Sequence, residues 1–436
     1  MTAATAWRLA RPRPGRGAIA AAVAITGALV LYVLHLLRAT IEWNVNLSSY
    51  IEQRDLRLGV ITAALLLSVP VLALALQALR MGSAERDRRT AALRLAGLTP
   101  LELRIVAGVE AGRAALVGGA WAGPAYIGLW FVAGVLPPDG ARVADSPDVV
   151  DAFTWLALVP VLAVAGGLAG AFVQTRRPER ARPGRASFAG LAVGSAIIAA
   201  SLMVYAANGG IGLLFTAVPG LLVFAFACGP WLVLGSARLL ERRPSAERLL
   251  AARRLRADPH SAGRVAGVLI VCGVAFSVEA LLIYQALADP EIVDTDNFYA
   301  IGYSLAAAVM LAGCAVTVVT LLLGTADGLL AARRPLAALN VFGVDERTLL
   351  RVLTRQLLAT AVPAVVLGAL FGGATLIALI SAVNPAAFPA AGFALLIGGA
   401  AALIVGTVLA LVTVLAVRLL RPLVRAAIDP QNLRAA

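Results

Sequence analysis

The chain has 436 residues, 60% of them hydrophobic and only 14% charged, with a net charge of +13 and a mean hydropathy of +0.88. So small a polar complement cannot cover a soluble globule, and the chain belongs in lipid. All 37 basic residues are Arg; without Lys the chain itself cannot build a Walker A nucleotide loop or perform Schiff-base chemistry. Cys228, Cys272 and Cys314 lie inside apolar runs without a C-x-x-C spacing, so they read as small packing residues rather than a disulfide framework or a zinc site.

A spanning helix needs about 20 mostly apolar residues. Ten stretches qualify: 18–37, 58–79, 112–135, 152–173, 188–207, 213–235, 264–288, 303–323, 357–381 and 392–417. The first is longer than a signal-peptide core and is not followed by a small-x-small cleavage site, so it is expected to remain as an anchor. Cytoplasmic loops retain positive charge. With the N-terminus inside, only Arg38, Arg54, Arg57 and Arg142 fall in outer segments, and Arg113 sits at a membrane edge. Acidic residues such as Asp289, Glu291, Asp294 and Asp296 gather in the outer loops. Both termini are therefore expected in the cytoplasm. The net charge reads as a topology signal plus contact with anionic membrane lipid, not as nucleic-acid binding.

A constant offset of 246 residues carries Arg8-Leu9 onto Arg254-Leu255, Gly17 onto Gly263, Gly27 onto Gly273 and Gly82 onto Gly328. The expected fold is an all-α integral membrane protein with ten transmembrane helices as 4+2+4 and two parallel repeats. Residues 1–175 form the first repeat, 176–245 a linking hairpin and 246–436 the second repeat. An even number of spans separates equivalent helices, so the halves share one orientation, related by an axis along the membrane normal.

The same offset superimposes two charged segments between spans, 80–111 and 326–357: Arg88, Leu93 and Gly97 match Arg334, Leu339 and Gly343. In each, helix-favouring residues run to a glycine stop. A cap then opens the next helix, Thr99-Pro100 in the first copy and Asp345 in the second. Helix, tight turn, helix is the expected form. Leu93, Leu95, Leu339 and Phe342 add a small apolar ridge suited to a partner's groove.

Arg-Arg followed by Leu, a Gly-terminated turn and a long helix opening with Glu110 or Gln356 resembles the FtsX-like permease family of ABC transporters. So does the lead-in Leu249-Leu250-Ala-Ala-Arg253-Arg254-Leu-Arg256-Ala-Asp258-Pro259. The resemblance covers nearly the whole chain. It implies a non-catalytic permease subunit in the bacterial plasma membrane, seated on a dimer of separate ABC ATPase subunits that hold ATP and Mg. Arg88, Arg89, Leu93, Gly97, Arg334, Leu339, Phe342 and Gly343 would contact that partner. The cargo it implies is unidentified, whether lipidic, peptide or amphipathic. The outer loops at 38–57 and 289–302 are too short for the large extracytoplasmic domain that relatives often carry.

Charges inside a membrane are costly enough to be functional candidates. Glu279 is the only acid deep in a span. With Tyr284 and Gln285, and with Tyr32 and His35 if the first and seventh spans meet, it would form a polar cluster. Glu110 and Arg113 share a helix face and are expected to neutralise each other. An ion-coupled transporter using Glu279 and a non-transporting signalling or scaffold protein are the alternative functions. Gly166 with Gly170 and Gly368 with Gly372 mark close helix approaches.

Overall fold

The computed structural model describes residues 16–38, 54–80, 90–135, 144–175, 184–208, 217–242, 245–288, 298–383, 391–429 and 431. Everything regular among them is helical. In chain order the helices are α1 (Arg16–Arg38), α2 (Arg54–Arg80), α3 (Pro100–Val135), α4 (Val149–Thr175), α5 (Arg185–Asn208), α6 (Ala217–Glu241) and α7 (Ala246–Ala257). They continue with α8 (Pro259–Ala288), α9 (Phe298–Ala331), α10 (Arg333–Val341), α11 (Glu346–Val383), α12 (Ala391–Leu419) and α13 (Arg421–Ala427). Nine helices are long and apolar enough to cross a membrane among the described residues. The remaining sequence-predicted span, 58–79, falls on α2, whose stretch Leu66–Ala75 is apolar. The molecule is thus an all-helical protein of membrane-spanning character, because only helices satisfy their own backbone polar groups in hydrocarbon.

The chain divides into two compact units, one of residues 1–179, 319–338 and 429–436, the other of 180–318 and 339–428. In the first unit, α1 is the most enclosed helix, packed on α2 and α3. Ala28, Leu29, Leu31, Tyr32 and Leu36 form a core with Ile61, Ala122 and Tyr126. α4 lies along α3 through small residues: Gly166 and Gly170 face Ala115 and Ala111, and a Cβ at Gly108 would sit 3.0 Å from the Gly167 carbonyl. Trp155 closes this seam with an indole N–H donated to the Gly119 carbonyl at 2.9 Å.

In the second unit, α8 takes the central place, against α6, α11 and α12. Small residues again set the spacing, as lipid-embedded helices associate by close packing rather than by hydrophobic exclusion of water. Gly368 and Gly372 of α11 lie against Ile270 and Val274 of α8. Phe224 of α6 stacks on Phe371 of α11 with ring centroids 5.1 Å apart. The thiols of Cys272 and Cys314 meet between α8 and α9.

Candidate functional site

Among the described residues, two glycines have a left-handed backbone, Gly97 at φ 89° and Gly343 at φ 91°. Each ends a short helix at the start of a long one, where only glycine adopts that conformation without strain. The turns close with the same two bonds. Gly97 N–H donates to Arg94 O at 2.9 Å and Leu98 N–H to Leu93 O at 3.1 Å; Gly343 N–H donates to Asn340 O at 2.9 Å and Val344 N–H to Leu339 O at 3.0 Å. This paired pattern is a Schellman stop, which satisfies the last carbonyls of the helix it ends.

The helices that follow open on side-chain caps. Thr99 N–H donates to Glu102 Oε2 at 2.9 Å while Glu102 N–H reaches back to Thr99 Oγ1 at 3.4 Å, a reciprocal capping box. Asp345 Oδ1 accepts from Thr348 N–H at 2.9 Å. The Thr99 N–H and hydroxyl hold the Glu102 carboxyl below its usual range, and Thr348 does the same for Asp345.

Of the ridge expected from sequence, Leu93 and Leu339 are partly buried, whereas Phe342 is 84% exposed. Leu95 at 91% and Val341 at 64% are also exposed at these turns, and they occupy matching positions 246 apart. Arg334 is exposed. Arg88 and Arg89 lie outside the described residues.

The second turn is braced by parts of the chain distant in sequence. Glu346, the first residue of α11, receives Arg421 Nε at 2.5 Å and Arg425 Nε at 2.7 Å from α13. Asn340 donates its side-chain amide to Ile428 O at 3.2 Å. Glu247 of α7 pairs with Arg351 at 2.7 Å and Arg355 at 2.5 Å on α11. Arg425 and Arg421 together hold the Glu346 carboxyl below the ordinary range. A group whose folded pKa is depressed contributes stability above its unfolded value, about 4.3 for Glu, and that contribution fades as pH falls through the folded pKa. Acidification below pH 4 is therefore expected to loosen α13 from the turn, seen as faster amide exchange across 421–427 while α8 stays protected; unchanged exchange would remove the brace.

A polar knot that sequence reasoning missed sits where α1 ends and α4 begins. Asp151 of α4 is 6% exposed, and its Oδ2 accepts from His35 Nδ1 at 2.8 Å, Tyr126 Oη at 3.1 Å and Asp148 N–H at 3.1 Å. Arg38 pairs with its Oδ1. Asp148 caps the same helix, its Oδ1 accepting Asp151 N–H at 2.8 Å, and that bond with the Arg38 charge keeps its carboxyl below the usual range. The available signal was the spacing Asp148-x-x-Asp151 at a span entrance, which has the form of a capping box.

His35, expected to join Glu279 in a polar cluster if the first and seventh spans meet, has its Nδ1 bonded to Asp151 and its Nε2 buried without a hydrogen-bond partner among the described residues. Glu279 is partly buried, and its Oε1 is buried with no hydrogen-bond partner. Tyr284 is 37% exposed; the Gln285 side chain lies outside the described residues. Glu110 and Arg113 are both partly buried and both engaged in polar interactions. No group of three or more metal-ligating side chains occurs among the described residues. Comparisons of the chain with protein-family models, characterised proteins and solved structures find no match.

Proposed function

We propose that the chain is the membrane subunit of an ABC system, a non-catalytic permease that relays the work of separate ATPase subunits to an unidentified substrate. Its ten spanning helices group as four, two and four in two parallel repeats, with both termini in the cytoplasm. The observation that carries this reading is the pair of left-handed glycine turns with identical closing bonds, 246 residues apart. Helix bounds support it: shifting Pro100, the first residue of α3, by the same offset lands on Glu346, the first residue of α11. Shifted likewise, α1, α2 and α4 fall largely on α8, α9 and α12. Each turn exposes apolar side chains next to arginines, a surface fitted to an apolar groove with acidic walls on the ATPase.

Leu95→Asp combined with Phe342→Asp is expected to leave the protein folded and in the membrane, since both side chains project into solvent. It should reduce recovery of the bound ATPase at least about tenfold, equivalent to about 1.4 kcal/mol of binding. Affinity purification from native membranes, with Walker-motif proteins quantified by mass spectrometry, reads the outcome. Equal recovery from the double variant sinks the docking role.

The unpartnered Glu279 Oε1 favours a second reading, proton- or cation-coupled transport through that carboxylate. Glu279→Gln separates the two: transport lost while ATPase binding persists supports ion coupling, and transport retained supports the permease.

A further inference from the structure

The two glycine turns share their closing bonds but not their supports. α13 holds the second turn by both of its arms. Before the turn, the Asn340 side-chain amide of α10 donates to Ile428 O at 3.2 Å. After it, Glu346 of α11 takes Arg421 Nε at 2.5 Å on one carboxylate oxygen and Arg425 Nε at 2.7 Å on the other. α13 is itself anchored on α11 and α12, with Val424 and Ala427 wholly buried. Further along α11, Arg351 and Arg355 are held by Glu247 of α7.

None of these ion pairs has a counterpart in the first copy. Shifted back by 246 residues, Glu346 becomes Pro100, Arg421 and Arg425 become Thr175 and Glu179, and Arg351 and Arg355 become Ile105 and Val109. Proline, isoleucine and valine carry no charge, so the first turn cannot be clamped in this way. Burial differs to match: Ala337 of α10 is wholly buried, while its equivalent Ala91 is exposed.

We propose that Arg421 and Arg425 are positioning residues that fix the second turn for its partner, making it a preformed anchor that contributes more to binding than the first. This inequality rests on the docking of a separate ATPase proposed for the turns. Association pays for ordering mobile segments, so a surface already held in shape keeps more of its contact energy. Val341 and Phe342, both exposed, stand between the two gripped arms at Asn340 and Glu346. The Glu346 side chain is only 20% exposed, so solvent screens its two pairs less than it would a free surface pair.

The test recovers the full chain from native membranes by affinity and quantifies the Walker-motif protein that accompanies it. Arg421→Gln with Arg425→Gln is expected to lower recovery about three- to tenfold, the size of two modest ion pairs. Both side chains are more than half exposed, so this variant should fold. Glu346→Gln, which removes the charge the arginines share, should lower recovery equally. Val341→Asp should cost at least about threefold more than Leu95→Asp at the matching position of the first turn. Adding the arginine changes to Val341→Asp should cost little more, whereas adding them to Leu95→Asp should multiply the two losses. Amide exchange on the purified chain separates the ways of failing. Faster exchange across 340–349 in the arginine variant, with 94–103 unchanged, establishes the clamp without any ATPase. If wild type then recovers no Walker-motif protein, the docking role fails and the positioning role falls with it. Unchanged exchange across 340–349 overturns the clamp itself. Full recovery from Glu346→Gln beside a loss in the arginine variant means that the arginines touch the partner directly. Equal losses from Val341→Asp and Leu95→Asp mean that the turns are equal, and either result overturns the inference.

Discussion

Asp151→Ala is expected to destabilise the first unit by about 3–5 kcal/mol, the cost of removing one partner from a buried charged cluster. One carboxylate accepts from His35, Tyr126, Arg38 and the Asp148 backbone, and so ties the end of α1 and the last third of α3 to the first turn of α4. Truncation strands the His35 and Tyr126 donors, which are 6% and 4% exposed, where no water is at hand to replace what they lose, while Arg38 keeps its pair with Asp148. Asp151→Asn keeps an acceptor oxygen for one donor but removes the charge that faces Arg38, so its loss should be smaller. Thermal unfolding measures both, and amide exchange across 28–38 and 149–156 locates the effect. A loss below about 1 kcal/mol, the value of an ordinary single hydrogen bond, would mean that the knot does not hold these helix ends together.

Why this knot escaped a reading of the sequence, while the glycine turns did not, follows from the range of the forces involved. Gly97 and Gly343 are dictated within a few residues: a helix-favouring run, a residue free to take positive φ, then a cap. Such signals are local, and Thr99, Glu102 and Asp345 do what their spacing requires. His35 and Asp151 are 116 residues apart, and their meeting depends on the rotation of α1 and α4 about their axes as both pack on α3. Nothing in hydropathy sets that rotation. The braces Glu346 to Arg421 and Glu247 to Arg351 share this character, joining helix ends through pairs that no periodic pattern marks. Span positions were legible because about 20 apolar residues are needed wherever lipid is crossed. Likewise legible were the close-packing glycines, whose spacing of four places them on one helix face; which neighbour they meet was not.

Gly368→Val should have a larger effect on the second unit than any substitution at its surface, because what a new Cβ would strike is backbone. At Gly368 it falls on the carbonyl of Ile270; one turn further along, at Gly372, it would sit 2.8 Å from Val274 Cα. From the other side, a Cβ on Gly273 of α8 would lie 2.9 Å from the Ala369 backbone nitrogen. A crowded side chain can change rotamer, but two helix backbones in direct contact can only move apart. Separation removes dispersion contacts along the whole α8–α11 seam, and in lipid no hydrophobic force draws the helices back together. Gly368→Ala is accordingly expected to cost at least about 1–3 kcal/mol, and the branched side chain of Val more. Gly399→Ala, on α12 with nothing within 4 Å of the added atom, is the matched control. It should be neutral or stabilising by up to about 1 kcal/mol, since alanine favours a helix interior over glycine. Thermal unfolding of the three variants in one detergent decides the matter, and a Gly368→Val protein as stable as Gly399→Ala would show that the α8–α11 contact is looser than these backbones require.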